Sequence, residues 1–251
     1  MLPSDFSSTS HILILNNTKP PSLPLYINAD VAGKEKKSQT EINPALSHFA
    51  PMIKHVLIRQ RIISDVSIFL QHCTNIQNIT LWIPYGDCST LIPILEAQTS
   101  LRKLSFDPSL FFRSWDEDVP IPFNMPMFRN ITHLEVISAT PSWTKWQYLA
   151  SLPSLTHLAL GGVVSRTLVR NLLRRCESLQ VLVVYYFAGM SVWDKDELED
   201  SENGNVEEDD RLVILTTAHL PGMVALWEEG ARGGDGFWGR VHNFQHNGYR
   251  L

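Results

Sequence analysis

The chain has 251 residues, a formal net charge of −5, and a composition that is 44% hydrophobic and 19% charged. This is an ordinary globular balance, long enough to bury a sizeable core, and it carries no global electrostatic drive toward nucleic acid or an anionic membrane. No apolar run approaches the roughly 20 residues of a membrane span. The N-terminus lacks a secretory signal pattern. Three cysteines (Cys73, Cys88 and Cys176) are too few for a disulfide framework, so the expected compartment is reducing, cytoplasmic or nuclear.

In chain order, residues 1–21 read as a poorly defined tail. A first strand is expected at Leu23–Ile27, followed by a polar stretch over Ala29–Glu41 and a short helix near Pro44–Phe49. From there one pattern recurs, apolar-x-x-apolar-x-apolar. It occurs as Ile53-Lys-His-Val56-Leu-Ile58, Ile76-Gln-Asn-Ile79-Thr-Leu81, Leu101-Arg-Lys-Leu104-Ser-Phe106, Ile131-Thr-His-Leu134-Glu-Val136, Leu155-Thr-His-Leu158-Ala-Leu160 and Leu179-Gln-Val-Leu182-Val-Val184. The starts are 23, 25, 30, 24 and 24 residues apart, close to the 20–29 residues of a leucine-rich repeat. A small polar residue (Asn75, Ser100, Asn130, Ser154 or Ser178) precedes the first apolar position in five units, suited to a tight turn into a strand.

Between these units lie helical patterns. Ile62, Val66, Phe69 and Leu70 share one face, Thr90–Ala97 is a shorter candidate, and Val164–Arg175 is the clearest, with Ser165 placed to cap it. Cys73 and Cys176 sit at helix ends and read as small buried hydrophobes. Two insertions break the period: 107–127, rich in proline and aromatics, and 194–210, where ten acidic residues face one lysine in a segment expected to be disordered. A later strand is expected at Leu212–Leu215. Residues 217–251 read as a helical cap whose Gly-rich segment Gly230–Gly236 is the turn between two helices. The expected fold is α/β: a leucine-rich-repeat solenoid over residues 22–216, with a parallel concave sheet and outer helices.

Strings such as Phe128-Arg-Asn-Ile-Thr-His-Leu-Glu-Val136, Leu152-Pro-Ser-Leu-Thr-His-Leu-Ala-Leu160 and Cys176-Glu-Ser-Leu-Gln-Val-Leu182 resemble the repeats of F-box/leucine-rich-repeat proteins. Trp227-Glu-Glu-Gly-Ala-Arg-Gly-Gly-Asp-Gly-Phe-Trp238 resembles the C-terminus of the fungal branch of that family. The resemblance implies a substrate-recognition role in a ubiquitin ligase, with an N-terminal F-box docking on a Skp1-type adaptor. The F-box itself is not visible in this chain.

No nucleophile elbow, metalloprotease helix, P-loop or Cys-x-x-Cys pair occurs, so no catalytic residue and no cofactor is expected. The expected activity is protein binding by the concave face. Period-two alternation places His55, Leu57 and Arg59 there, then Asn78, Thr80 and Trp82, Lys103, Ser105 and Asp107, His133, Glu135 and Ile137, His157, Ala159 and Gly161, and Val181, Val183 and Tyr185. Of these, His55, Arg59, Asn78, Trp82, Lys103, His133, Glu135, His157 and Tyr185 are the expected partner-binding residues. The apolar end at Val181, Val183 and Tyr185 has two open readings: a partner patch, or a surface covered by the cap or the acidic insertion. Rival functions are a stand-alone repeat scaffold and a metal-assisted enzyme built on His133 and His157, which should stack across adjacent strands.

Overall fold

Short apolar runs with alternate residues facing one side form strands that need neighbours to satisfy their backbone, and here each finds the next one along the chain. A computed structural model describes residues 11–16, 48–82, 84–186, 209–216 and 222–247. It contains β1 (His11–Asn16), β2 (Ile53–Arg59), β3 (Asn78–Trp82), β4 (Lys103–Phe106), β5 (His133–Ala139), β6 (His157–Gly162), β7 (Val181–Tyr186) and β8 (Leu212–Thr216). All eight make one parallel sheet in strict chain order. The protein is therefore α/β with a single eight-stranded parallel sheet.

The ladder register follows the repeat frame. His55, Asn78, Lys103, His133, His157 and Val181, the second variable position of each unit, are partners across successive strands. Before β4, β5 and β7 the chain turns through one recurrent bond. The amides of Leu101, Ile131 and Leu179 donate to Gln98, Phe128 and Cys176 carbonyls at 3.2, 3.1 and 3.1 Å. Polar side chains tie neighbouring turns together: Gln98 Nε2 donates to the Cys73 carbonyl at 2.6 Å, Asn130 Nδ2 to the Thr99 carbonyl at 3.2 Å and Ser154 Oγ to the Arg129 carbonyl at 3.3 Å.

One face of the sheet packs on α1 (Ile63–Leu70), α2 (Ile92–Glu96), α3 (Pro108–Phe112), α4 (Trp143–Trp146) and α5 (Arg166–Arg175). Val56, Ile79, Leu104, Leu134, Leu158 and Leu182 run through that core as a row of fully buried side chains, continuous from unit to unit. α5 forms as its pattern demands, with Ser165 Oγ accepting the Leu168 amide at 2.9 Å and Leu168, Val169, Leu172 and Leu173 buried. Cys73, Cys88 and Cys176 are buried and reduced, and burial pushes their thiols up to about 12, about 11 and about 11. Such thiols stay protonated and unreactive at neutral pH.

Several expectations change. The stretch assigned to a tail contains β1, whose Leu13 and Leu15 pack on the same core, while Leu23–Ile27, residues 44–47 and the acidic run 194–208 lie outside the described residues. Ile62 is 57% exposed and Ile63 takes the core position, because α1 starts one residue later than the pattern suggested. The strand expected at Leu212–Leu215 is β8; Leu212 pairs with Leu182, so Asp209 stands where earlier units have their first apolar residue. The 107–127 insertion, rich in proline and aromatics, folds its phenylalanines into the core while residues 115–119 stay exposed. Phe111, Ile121 and Phe123 are buried, and Phe106, Phe111, Phe123, Phe128 and Trp146 make a contiguous aromatic cluster. Lys145, 1% exposed, pins it: Nζ donates to the Ser114 carbonyl at 2.9 Å while the Lys145 carbonyl accepts the Ile121 amide at 3.0 Å.

The C-terminal segment forms α6 (Met223–Ala231) and α7 (Gly236–Asn247), joined by the glycine-rich turn. Gly236 has φ +54°, and a Cβ there would stand 2.6 Å from Gly230 Cα, so only glycine lets the two helices close this tightly. The pair reaches beyond the last strand and lies on the second face of the sheet, where Leu226 and Val241 are buried against Ala159, Val181, Val183, Tyr185, Val213 and Leu215.

Candidate functional site

The second face carries all nine residues expected to bind a partner, and the structure divides them. His55, Arg59, Asn78, Trp82, Lys103 and His133 remain partly exposed. Glu135, His157 and Tyr185 are buried, at 8%, 6% and 6% exposure, and are unavailable to any partner while α6 and α7 are in place. The apolar end of the face is thus an internal core, and the reading in which the cap covers it is the one the coordinates support. Phe187 lies outside the described residues.

Tyr185 shows how the buried half is built. Its Oη donates to Glu135 Oε1 at 2.9 Å, two strands away. The ring reaches that far only because β6 presents Ala159 and Gly161 beneath it: a Cβ on Gly161 would stand 2.3 Å from the Tyr185 ring. Burial raises the pKa of Glu135 above the usual carboxyl range and that of Tyr185 well above an ordinary phenol. Ser105 also hydrogen-bonds the Glu135 carboxyl and accepts Trp82 Nε1 at 3.0 Å. A polar chain therefore links exposed Trp82 through Ser105 and Glu135 to buried Tyr185.

His133 and His157 stack as their register requires, with ring centroids 4.1 Å apart and planes 8° from parallel. Trp238 from α7 stands edge-on to both, at 5.2 and 5.4 Å. The hydroxyl of Thr156 donates to the Thr132 carbonyl at 3.1 Å and lies 2.8 Å from His157 Nδ1, so Nδ1 carries the proton and donates to it. Thr132 plays the same part for His133, donating to the Arg102 carbonyl at 3.1 Å and accepting Nδ1–H at 2.9 Å. His157 Nε2 is then an acceptor, and His242 Nε2 on α7 donates to it at 3.0 Å. Burial, above all, depresses His133 to about 3 and His157 to about 4, helped by the charges of neighbouring imidazoles and Lys103. Two neutral rings held face to face pack as flat plates rather than converge their lone pairs, and among the described residues no group of three or more His, Cys, Asp or Glu side chains is placed to hold a metal.

Where the covered half ends, a cavity of about 90 Å³ opens between β3–β5 and the α6–α7 turn. Asn78, Trp82, Lys103, His133 and Glu135 line its sheet side, and Trp227, Phe237 and Trp238 line its helical side. The three helical aromatics and His242 escaped the sequence reading. Their signal was present: Phe237, Trp238, Val241 and Phe244 fall on one helical face, and the apolar residues of β7 and β8 required a cover. The membrane expectation has a narrow structural counterpart: among the described residues no helix is long and apolar enough to cross a bilayer. No protein-family model, no curated protein and no solved structure matches the chain.

Proposed function

We propose that the chain is a leucine-rich-repeat solenoid acting as a protein-interaction module, the substrate-recognition part of an F-box-type ubiquitin-ligase receptor. The observation that carries the reading is the polar half of the second face. There His55, Arg59, Asn78, Trp82 and Lys103 sit on three neighbouring in-register strands, partly exposed, beside a half that the protein covers with its own helices. A protein that shields the apolar end of a sheet and leaves a mixed aromatic and cationic end in water presents a surface of the composition that interfaces favour. The ligase assignment rests on the repeat and C-terminal strings that resemble that family.

The test is selection of displayed peptides against the whole chain. Selected peptides are expected to protect amides of β2–β4 from hydrogen exchange and to bind at least about tenfold more weakly to Trp82→Ala, a loss typical of an interfacial tryptophan. Peptides that protect only the α1–α5 side overturn the assignment of this face. In cells, crosslinked recovery of a Skp1-type adaptor supports the ligase role, and recovery of other proteins without one leaves a stand-alone scaffold.

A further inference from the structure

The cavity beside the covered half contains an unusual balance of charge. Lys103 has no hydrogen bond or ion pair among the described residues. It is the ladder partner of His133 on one side and of Asn78 on the other, and burial lowers its own pKa. The two acids that line the same cavity do not neutralise it. Glu135 is occupied by Tyr185 and Ser105, and Asp235 stands exposed at the α6–α7 turn without pairing to it. A half-buried cation costs free energy unless something completes it.

We propose that this cavity is a binding site for a carboxylate, with Lys103 as its ion-pair partner and Trp82, Trp227, Phe237 and Trp238 as walls for an apolar body. The volume admits on the order of six water molecules, at roughly 15 Å³ each, which suits a compact acid or the end of a polypeptide chain. A single cation matches the single charge of a carboxylate; a phosphate dianion calls for more positive groups and a less aromatic wall. The site shares Trp82 and Lys103 with the proposed partner surface, and the small-acid arms of the experiment test it apart from any macromolecule.

The experiment is titration of the full chain with benzoate and with benzamide, followed by calorimetry and by tryptophan fluorescence. Two further arms use a short peptide with a free C-terminus and its C-terminally amidated twin. Benzoate is expected to saturate and benzamide to bind at least about tenfold more weakly, the loss of one charge-assisted contact. Binding of the free-ended peptide far above benzoate, lost on amidation, identifies the source as a polypeptide terminus; the reverse order identifies a free acid. Lys103→Met is expected to abolish the difference between acid and amide while melting no lower than the parent, since it removes an unpaired, partly buried charge. Equal binding of acid and amide to the unmodified chain, or no binding of either acid, overturns the proposal whether or not the variant folds. Unchanged benzoate affinity in a folded Lys103→Met overturns it as well.

Discussion

The two halves of the second face share one backbone pattern and differ in fate. On β2 and β3 the outward row ends in Arg59 beside Trp82, both partly exposed. On β6 and β7 the same row ends in Gly161 beside Tyr185, both buried beneath the helical pair. Strand spacing and register are equal in the two places, so what decides is the side chain at three alternate positions per strand. Where these are His, Arg, Asn and Lys, the side chains keep contact with water, while Leu57 and Thr80 between them are buried. Where they are Val, Ala, Gly and Tyr, covering them with α6 and α7 recovers roughly 25 cal/mol for each Å² of apolar surface removed from water. One face of a parallel sheet can thus be covered at one end and open to water at the other without any change in the main chain.

The substitution expected to break this division most severely is Gly161→Val. Its side chain must occupy the space of the Tyr185 ring, and the displaced phenol leaves Glu135 without its donor in a water-poor interior. Overpacking and a stranded buried carboxyl together cost on the order of 3–5 kcal/mol. Urea unfolding with far-ultraviolet detection measures the loss. A change below about 1 kcal/mol means that the helical pair does not hold Tyr185 in place, and the distinction between the halves weakens accordingly.

Acid should act on the same boundary more gently. His133 and His157 titrate at about 3 and about 4 in the folded chain, against about 6.5 when unfolded. Below 6.5 the unfolded chain binds protons that the folded one refuses, so stability is complete above that value and falls as the pH drops, the His157 part levelling beneath about 4 and the His133 part beneath about 3. Facing these rings are Lys103 on β4 and His242 on α7, both of which disfavour added positive charge, while Glu135, with its raised pKa, opposes the trend below its own titration. The net loss between pH 7 and 4 is expected to be on the order of 2–3 kcal/mol. His157→Phe should flatten the profile. An unaltered pH profile in that variant would show that the stacked pair is solvated rather than sealed by Trp238.

Much of the fold was legible because the repeat carries it. The motif frame gave the pairing of His55 through Val181 one strand at a time, and the stacking of His133 on His157 followed from register alone. β1 was not legible, since His-Ile-Leu-Ile-Leu-Asn is one short apolar run without a neighbouring unit at the repeat spacing. β8 was legible as the apolar run Leu212–Leu215, although Asp209 stands where earlier units have their first apolar residue. The candidate site was half legible. Periodicity says which residues leave the core face, but a helical pair more than fifty residues along the chain from His157 determines which of them meet water. Trp227 and Trp238 belong to no repeat, so the frame that placed Trp82 had no means of placing them opposite it.

The smallest expected effect lies at Arg59, the counterpart of Gly161 in the outward row of the polar half. Its side chain is partly exposed and lies on the second face, away from the core that α1–α5 complete. Arg59→Ala should therefore change unfolding free energy by no more than about 0.5 kcal/mol, as surface substitutions do, while weakening peptides selected against β2–β4. Urea unfolding and peptide titration on the same sample separate the two quantities. A stability loss above about 1 kcal/mol would mean that the Arg59 stem packs as core. The polar half would then be a second internal surface, and the division between a covered end and an open end would move outward to β1.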